Sequence, residues 1–284
     1  MSSEIHPTKI KVTDGFTFYN EVDMLDLRLS YLYGYVDEFL IVEADHKFNG
    51  QPKPFLLNGL MKTSRFAWAA DKVTVKSVAI DTSGMIFSER PEAYDPSADF
   101  WKIEAAQRNA IRPEVMLEND FLLMGDVDEI PHPRILTALR YSSVFRAAVR
   151  ESPKACWQEF FYYNPHCLKN ERWHGTIVLD SAAAASMNNQ ELRSKRYDWP
   201  ALERGGWHFS YFMSPQQISD KINSFSHQEY NTDYMRSEER IAEMIAQKRD
   251  VFERDEGFLP FDLENFPREL VRQLRAKFPQ LVGG

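Results

Sequence analysis

The hydrophobic and polar positions in the first half of the chain alternate between short apolar runs and amphipathic stretches. Short apolar runs bounded by turn residues predict buried strands. They lie at 9–12 (with 16–19 as a continuation or rim), 38–43, 72–80 and from 121 to a stop at Pro131. Helices are predicted between them, at 20–32, where apolar residues recur every three or four positions, and at 101–111. This alternation predicts an α/β fold with a Rossmann-like, mostly parallel sheet flanked by helices.

The second half continues with strands and then becomes helical. The pattern predicts a short helix at 133–140, strands at 145–149, 155–163, 173–179 and 205–212, and a loop with a short helix at 181–197. Further helices are predicted from 215 to about 226, at 238–249 and at 266–278. We therefore expect one α/β domain over residues 1–230 and a helical C-terminal extension, residues 231–284, packed on the same domain.

An acidic motif, Gly125-Asp-Val-Asp-Glu-Ile-Pro131, lies where the fourth predicted strand ends. This rim of an open α/β sheet is where ligands bind, and in a strictly extended chain Asp126 and Asp128 would project to one side. Two such carboxylates repel each other unless a cation lies between them, and their oxygens suit Mg²⁺ or Mn²⁺ shared with phosphate. The alternative is an ordinary acidic turn, with Asp128 or Glu129 capping the helix that begins near Pro133.

Composition narrows the function classes. The net charge of −8 argues against a nucleic-acid binder, and it means that a polyanionic ligand would need a local cation. The sequence lacks the glycine-rich loops of dinucleotide folds and of phosphate-binding loop enzymes. Its 2 cysteines imply no disulfide framework. Because the sequence shows neither a signal-peptide core nor an apolar run of membrane-spanning length, we expect a soluble, cytoplasmic protein.

Six fragments in order along the chain carry a family resemblance. They are 16–29, Val42-Glu43 with 48–54, 107–111, 125–131, 206–210 and 221–229. Together, from about residue 12 to about 230, they resemble glycosyltransferase family 17, which contains the bisecting β-1,4-N-acetylglucosaminyltransferase of N-glycan processing. The C-terminal helices lie outside this resemblance.

This resemblance implies an A-type glycosyltransferase fold, a UDP-sugar donor, a glycan acceptor, a divalent cation (usually Mn²⁺) and inversion at the anomeric carbon. The sugar would be N-acetylglucosamine. The chain is expected to lack the membrane anchor and lumenal stem of the animal members. That difference argues against an N-glycan acceptor and favours a bacterial or viral relative.

The resemblance also suggests roles for the acidic motif and for two histidines. Asp128 would bind the cation that bridges to the donor diphosphate, and Asp126 would support the same ion or hold the ribose. His208 or His227 is the candidate for a third protein ligand. Gly205 and Gly206 favour His208, because they would let a ligand approach the backbone. A packed core histidine is the alternative in each case.

Inversion requires a base that removes a proton from the acceptor hydroxyl. Glu229, Glu159 and Glu43 are the candidates, and Glu229 is favoured by its place in the family-like 221–229 fragment. A surface or ion-paired carboxylate is the alternative for all three.

The remaining candidates would contact the donor or the acceptor. The donor set consists of Asn20, Glu21, Glu43, Lys53, Gln107, Arg108, Asp126 and Trp207, with Tyr163 as a further ring for stacking on sugars. Asn20 could instead be the N-cap of the helix that follows it. Arg108 could pair with Glu104 on the same helix, and the aromatic residues could belong to the core.

Two other functions remain open at this stage. A sugar-1-phosphate nucleotidyltransferase also uses a sheet, a metal and UDP-sugars, but the N-terminus lacks the expected glycine-rich and basic phosphate loop. A non-catalytic carbohydrate-binding protein could have the same fold, although it would not need the acidic motif. The oligomeric state is not indicated by the sequence.

Overall fold

One mixed β-sheet runs through the part of the chain that the computed structural model describes, residues 10–87, 91–254 and 257–283. Its strands are β1 Val12–Phe18, β2 Glu38–Ala44, β3 Val73–Val78, β4 Phe121–Asp126, β5 Glu129–Pro131, β6 Lys154–Tyr162, β7 Cys167–Asp180, β8 Ala201–Ser210 and β9 Phe258–Pro260. Their spatial order is β3-β2-β1-β4-β7-β6-β8-β5, with β9 paired to β7. The first four strands of this order are parallel, so their carboxyl ends meet at one edge.

The other half of the sheet is mixed. Strand β7 runs antiparallel to β4 and β6, β6 and β8 are parallel, and β5 is antiparallel to β8. This pairing brings the short β5, which follows the acidic motif, beside His208 of β8. The α/β fold predicted from the sequence is confirmed, and the acidic motif lies at the carboxyl edge of the sheet.

Helices cover both faces of the sheet. They are α1 Val22–Leu32, α2 Leu57–Leu60, α3 Phe100–Asn109, α4 Pro133–Tyr141, α5 Ser143–Glu151, α6 Ser181–Ser186, α7 Asn189–Ser194, α8 Pro215–Ser224, α9 Asp233–Arg236, α10 Glu238–Ala246, α11 Arg268–Lys277 and α12 Pro279–Val282. Short 3₁₀ turns occur at Ala67–Ala69, Gln228–Tyr230 and Leu263–Asn265. Across the described ranges, the structure contains no helix that is both long and apolar enough to cross a bilayer.

Burial on both faces explains the continuous apolar runs of the parallel strands. In β2, Phe39 and Ile41 belong to the larger core, which also includes apolar side chains of α1, α4 and α11. Leu40 and Val42 of the same strand face the opposite way, into a second cluster that includes residues of α6 and α7. Alternate side chains of one strand therefore build two separate cores.

Several predicted elements differ in the structure. Residues 145–149 were expected to be a strand but lie in α5, which begins where the Ser142 side chain accepts a hydrogen bond from the Phe145 N–H. The predicted loop at 181–197 contains two short helices, α6 and α7. The segment after 231 is helical but also includes β9, and its helix α11 packs against α1.

Candidate active site

The acidic motif forms a tight turn rather than an extended strand. Strand β4 ends at Asp126, Val127 and Asp128 form the turn, and β5 begins at Glu129. The expectation that both aspartates project to one side of an extended chain is therefore wrong. The capping alternative is also wrong, because the His132 side chain caps α4 by accepting a hydrogen bond from the Arg134 N–H.

A fully buried guanidinium on α1 fixes the backbone of this turn. Arg28 is 0% exposed, and its Nε and Nη2 atoms donate to the two carboxylate oxygens of Asp14 at 2.8 and 2.7 Å. Its Nη1 donates to the backbone carbonyls of Asp126, Val127 and Glu129 at 2.7, 3.2 and 2.9 Å. Charge-assisted hydrogen bonds of this kind are strong and directional, so Arg28 sets the path of the acidic turn.

Both carboxylate oxygens of Asp126 are hydrogen-bonded. Oδ1 accepts from Thr17 at 3.1 Å and from Arg108 at 3.0 Å, and Oδ2 accepts from Arg193 at 2.9 Å. Burial alone would raise the pKa of this carboxyl group. The guanidinium groups of Arg108 and Arg193 outweigh that effect and hold the pKa of Asp126 well below its usual range.

Glu129 supports the same turn from inside the protein. It is fully buried and accepts hydrogen bonds from the Asp126 N–H at 3.1 Å, from Trp173 Nε1 at 2.5 Å and from Arg193 at 2.5 Å. The third acid of the motif therefore ties the turn to β7 and α7. Its hydrogen bonds orient Asp126 and Arg193.

Asp128 faces two cationic or potentially cationic side chains. His208 Nε2 is 3.6 Å from Oδ1, and Lys221 Nζ is 3.9 Å from Oδ2 and 3.7 Å from Glu21. Burial would raise the pKa of Asp128, but His208 and Lys221 outweigh it and lower that pKa. Burial would lower the pKa of Lys221, but the carboxylates of Asp128 and Glu21 raise it.

The His208 ring packs against two aromatic rings that also contact each other. Its centroid is 4.5 Å from that of Phe160 and 4.7 Å from that of Trp173. Its Nδ1 atom is buried and has no hydrogen-bond partner among the described residues. Packing therefore orients the ring, and its Nε2 atom faces Asp128.

Asp128 and His208 form a pair of ligands suitable for Mn²⁺ or Mg²⁺. Within residues 10–87, 91–254 and 257–283, no group of three or more His, Cys, Asp or Glu side chains is arranged to hold a metal ion. Two protein ligands still fit these ions, which commonly take their remaining ligands from water and substrate phosphate. A carboxylate and an imidazole that meet at an open cleft have the right chemistry for such a site.

Two adjoining clefts open at the carboxyl edge of the sheet. The first cleft includes Thr17, Tyr19, Gln107, Asp128, His208 and Lys221 in its lining. The second cleft includes Tyr94, Trp101, Gln190, Arg196, His227 and Glu229. Both clefts share Glu104, Arg108, Asp126, Trp173 and Arg193, so the clefts adjoin along these side chains.

Most of the residues predicted for the donor and the metal lie along the first cleft. They are Glu21, Gln107, Arg108, Asp126, Asp128 and His208. Gln107 also donates to the backbone carbonyls of Phe18 and Val42 at 3.0 and 2.9 Å, which ties together the ends of β1 and β2. Arg108 forms the expected ion pair with Glu104 at 2.8 Å as well as the one with Asp126.

Asn20 lies in an adjoining pocket with Glu21 and Asp128. It is not the N-cap of α1 that the sequence suggested. Glu21 takes the capping position, and its side chain accepts hydrogen bonds from the backbone N–H groups of Tyr19 and Asn20, both at 3.1 Å.

Glu43 and Lys53 form an internal ion pair. Glu43 is fully buried, accepts from Lys53 at 2.7 Å, and also accepts from the backbone N–H groups of Leu56 and Leu57 at 2.8 and 2.9 Å. These contacts correct the expectation that both residues bind the donor, because they hold the start of α2 against β2. Glu43 is also an unsuitable base, since its two oxygens are already engaged.

The aromatic candidates belong to the core. Trp207 is buried and stacks on His132 at 5.1 Å, and Tyr163 is buried with its hydroxyl donating to the Arg249 carbonyl at 3.0 Å. The expectation that they stack on sugars is therefore wrong. Glycine is needed before Trp207 because β8 packs closely against β5 there. A Cβ on Gly206 would lie 2.1 Å from the Ile130 carbonyl oxygen.

The candidate bases are separated in the structure. Glu229 lies in the second cleft, where its Oε1 is 2.7 Å from His227 Nδ1. Glu159 pairs with Arg172 at 3.3 Å on β6. Of the two candidate histidines, His227 pairs with Glu229 in the second cleft, and His208 is the one that faces Asp128 at the acidic turn.

Sequence reasoning missed four residues that the structure brings to the turn. Arg28 and Lys221 lie inside fragments that carried the family resemblance, but no local pattern distinguishes them from surface cations. Trp173 and Arg193 come from segments read as a strand and a loop, and their roles depend on contacts far along the chain. What distinguishes these residues is that their charged or polar side chains are buried or partly buried, and burial cannot be read from the sequence alone.

Comparison with known proteins identifies the family of the chain. The model of Glycosyltransferase family 17 matches residues 2–275, which includes most of the C-terminal segment that the six fragments left out. A solved structure titled UDP-glucose pyrophosphorylase complexed with UDP-glucose is similar at 9% identity and a TM-score of 0.31, over 71% of this chain and 90% of that chain. No curated protein matches the sequence. Because the family match spans nearly the whole sequence, the chain belongs to glycosyltransferase family 17, enzymes that transfer a sugar from a donor to an acceptor.

Proposed function

We propose that this glycosyltransferase is metal-dependent and inverting, and that it moves N-acetylglucosamine from a UDP-sugar to a glycan hydroxyl, forming a β-linkage. The observation that supports the proposal most directly is the meeting of Asp128, His208 and Lys221 at the carboxyl edge of the sheet. A carboxylate, an imidazole and an ammonium group in one cleft are suited to a divalent cation with a diphosphate.

The first cleft is the proposed donor site. Its floor includes Thr17 and Tyr19 at the end of β1, where the uridine would lie, and Gln107 at the junction of β1 and β2. Arg108 and Lys221 line the same cleft and would provide cationic donors to the diphosphate.

Asp128 and His208 would hold Mn²⁺ or Mg²⁺. When bound, the cation would supply charge neutralisation for the diphosphate leaving group. Asp126 is bound to Arg108 and Arg193, so in this arrangement it supports the site through these guanidinium groups.

Sugar transfer needs a proton acceptor on the face opposite the leaving group. The acceptor hydroxyl oxygen would form a bond to the anomeric carbon while the bond from that carbon to the diphosphate oxygen breaks. UDP would leave with the electron pair, and the hydroxyl proton would pass to Glu229. The hydrogen-bonded partner His227 would orient that carboxylate.

Thermal unfolding with UDP tests the donor site. We expect UDP and its preferred UDP-sugar to stabilise the wild-type protein with Mn²⁺ and not with chelator. At about a hundred times its dissociation constant, a ligand adds roughly 2.7 kcal/mol and shifts the midpoint by several degrees. Asp128→Asn should abolish the shift, because it replaces the carboxylate of the proposed metal pair with a neutral amide.

The matched control is Asp198→Asn, an exposed aspartate in the turn after α7. It should retain the full wild-type shift. If folded wild-type protein shows no shift with any uridine nucleotide in the presence of Mn²⁺, the UDP-sugar proposal is wrong. The best stabiliser in a panel of UDP-sugars would identify the donor.

Two assays separate the competing functions. Formation of a UDP-sugar from UTP and a sugar 1-phosphate would show a nucleotidyltransferase. If the affinity for a glycan is the same with and without Mn²⁺ and UDP, and no sugar is transferred, the protein is a non-catalytic carbohydrate-binding protein. The proposed enzyme should instead release UDP in proportion to the glycoside formed.

A further inference from the structure

The second cleft contains a guanidinium group, that of Arg196, which forms no ion pair with a carboxylate of the described residues. Arg196 lies between two rings, with its Cζ atom 4.7 Å from the centroid of Trp173 and 4.7 Å from that of Tyr197. Its Nη1 donates to the Arg193 carbonyl at 3.3 Å, and its Nε has no hydrogen-bond partner among the described residues. Burial and the neighbouring Arg193 charge lower the pKa of Arg196. The side chain therefore packs against aromatic rings and makes no ion pair with the described residues, although the more distant Glu129 carboxylate partly offsets the effect of burial.

A second unused donor lies beside it. Arg193 is only 8% exposed, and its Nη2 serves both Asp126 and Glu129. Its Nη1 is buried and has no partner within the described part of the chain. Leaving a buried charged donor unpaired costs free energy, which a ligand in the cleft could recover. Arg193 is among the residues that line the second cleft, so this unpaired donor lies beside the cleft.

Another part of the lining of the second cleft is aromatic. Tyr94 is 58% exposed and packs edge-on against Trp101 at 5.5 Å. Trp101 in turn lies 4.8 Å from the His227 ring, whose Nδ1 is paired with Glu229. Exposed rings suit the apolar faces of a sugar, and the proposed base lies in the same part of the lining. The cleft thus combines a saccharide-binding part with an anion-binding part.

We infer that the second cleft is the acceptor site and that it takes a saccharide bearing an anionic group, a carboxylate or a phosphate, which Arg196 and Arg193 bind. The inference rests on the proposed function, because it places the acceptor beside a donor in the first cleft. Of the two clefts, Arg196 lines the second, so it is separated from the proposed uridine site at β1. Planar guanidinium groups bind carboxylate and phosphate oxygens through paired hydrogen bonds.

Transfer assays with matched acceptors test this inference. The probes are 4-nitrophenyl β-glucuronide, glucose 6-phosphate and the neutral 4-nitrophenyl β-glucoside, each with the UDP-sugar that stabilises the protein best. Wild-type protein should use at least one charged acceptor with a kcat/KM about tenfold above that of the neutral one, a discrimination worth about 1.4 kcal/mol. The better of the two charged probes identifies the carboxylate or the phosphate.

Arg196→Gln should remove this preference mainly through a higher KM for the charged acceptor, while kcat/KM for the neutral acceptor stays near the wild-type value. The matched control is Lys195→Gln, which removes an adjacent positive charge that is exposed and paired with Glu191. This variant should behave as wild type. Equal losses for charged and neutral acceptors, or no charge preference in wild type, would overturn the inference.

Binding experiments distinguish a failure of the acceptor inference from a failure of the proposed function. UDP with Mn²⁺ should stabilise Arg196→Gln as much as wild type, because the donor site is intact. If UDP stabilises wild type but neither glucuronate nor glucose 6-phosphate binds to the UDP–Mn²⁺ complex in calorimetry, the acceptor inference alone is wrong. If UDP itself gives no stabilisation, the proposed function is wrong.

Discussion

At the scale of single residues, the site is built from charged groups that compensate one another. Asp126 is paired with two arginines, and Asp128 faces Lys221 and His208. Buried ions are tolerated in proteins when they are paired and hydrogen-bonded, and removing one partner is costly. The sequence identifies the two aspartates and names His208 and Arg108 as candidates, but it gives no indication of Arg193 or Lys221.

The depressed pKa of Asp126 predicts a specific pH dependence of stability. Its folded pKa lies below the ordinary value of about 3.9, so the carboxylate contributes stability that is present above that value. The contribution is lost as pH falls through the folded pKa. Urea unfolding of wild type between pH 7 and 3 should therefore show a falling free energy of unfolding on the acid side.

Asp126→Asn should be less stable at pH 7, because Arg108 and Arg193 lose a buried partner, and its acid-side slope should be shallower than that of wild type. Asp198→Asn, on the exposed turn after α7, should keep the wild-type slope. An unchanged slope in Asp126→Asn would show that other carboxyl groups dominate acid unfolding.

At the scale of elements, the acidic turn depends on α1 through Arg28. The Arg28 side chain is fully buried and donates hydrogen bonds to the Asp14 carboxylate and to three backbone carbonyls of the turn. Arg28→Met should lower the free energy of unfolding by roughly 3–5 kcal/mol, because it leaves a buried carboxylate without its partner. Urea unfolding at neutral pH measures the loss.

Two further variants make this prediction specific. Arg28→Lys should recover part of the stability, since one ammonium cannot make the five hydrogen bonds of the guanidinium. Arg272→Met, which removes an exposed pair with Glu269 on α11, should change stability by less than about 1 kcal/mol. If Arg28→Met were as mild as Arg272→Met, the turn would not depend on α1.

The same scale shows what the sequence could and could not predict. Strands β1, β2 and β4 follow from apolar runs, because both of their faces are buried. The edge strand β3 follows from its alternating valines, and helices α1 and α3 follow from helical spacing. The strand expected at 145–149 failed because the apolar residues of the amphipathic helix α5 were read as strand alternation. Trp207 was misplaced because alternation along β8 does not reveal which face meets the core.

At the scale of the whole molecule, a chain with net charge −8 brings Arg108, Arg193, Arg196 and Lys221 to two adjoining clefts. These cations are held partly by the acidic residues of the same region. Without ligands, Lys221 faces the carboxylate that we propose as a metal ligand. A divalent cation that binds alone must therefore enter beside an ammonium group.

This arrangement predicts that Mn²⁺ and UDP bind cooperatively. The diphosphate brings negative charge that can engage Lys221 and the arginines, which leaves Asp128 free for the cation. We expect UDP to raise the affinity for Mn²⁺ by about tenfold or more, and by reciprocity Mn²⁺ should raise the affinity for UDP by the same factor. Calorimetric titration of each ligand, with and without the other, measures this coupling.

Uridine, which lacks the diphosphate, is the control ligand and should leave the affinity for Mn²⁺ unchanged. Lys221→Gln should bind Mn²⁺ more tightly than wild type in the absence of nucleotide, because the competing ammonium group is gone, and its coupling to UDP should be smaller. Equal Mn²⁺ affinities with and without UDP would show that Lys221 does not compete for Asp128. The charge balance of the ligand-free site would then have no bearing on the order in which donor and cation bind.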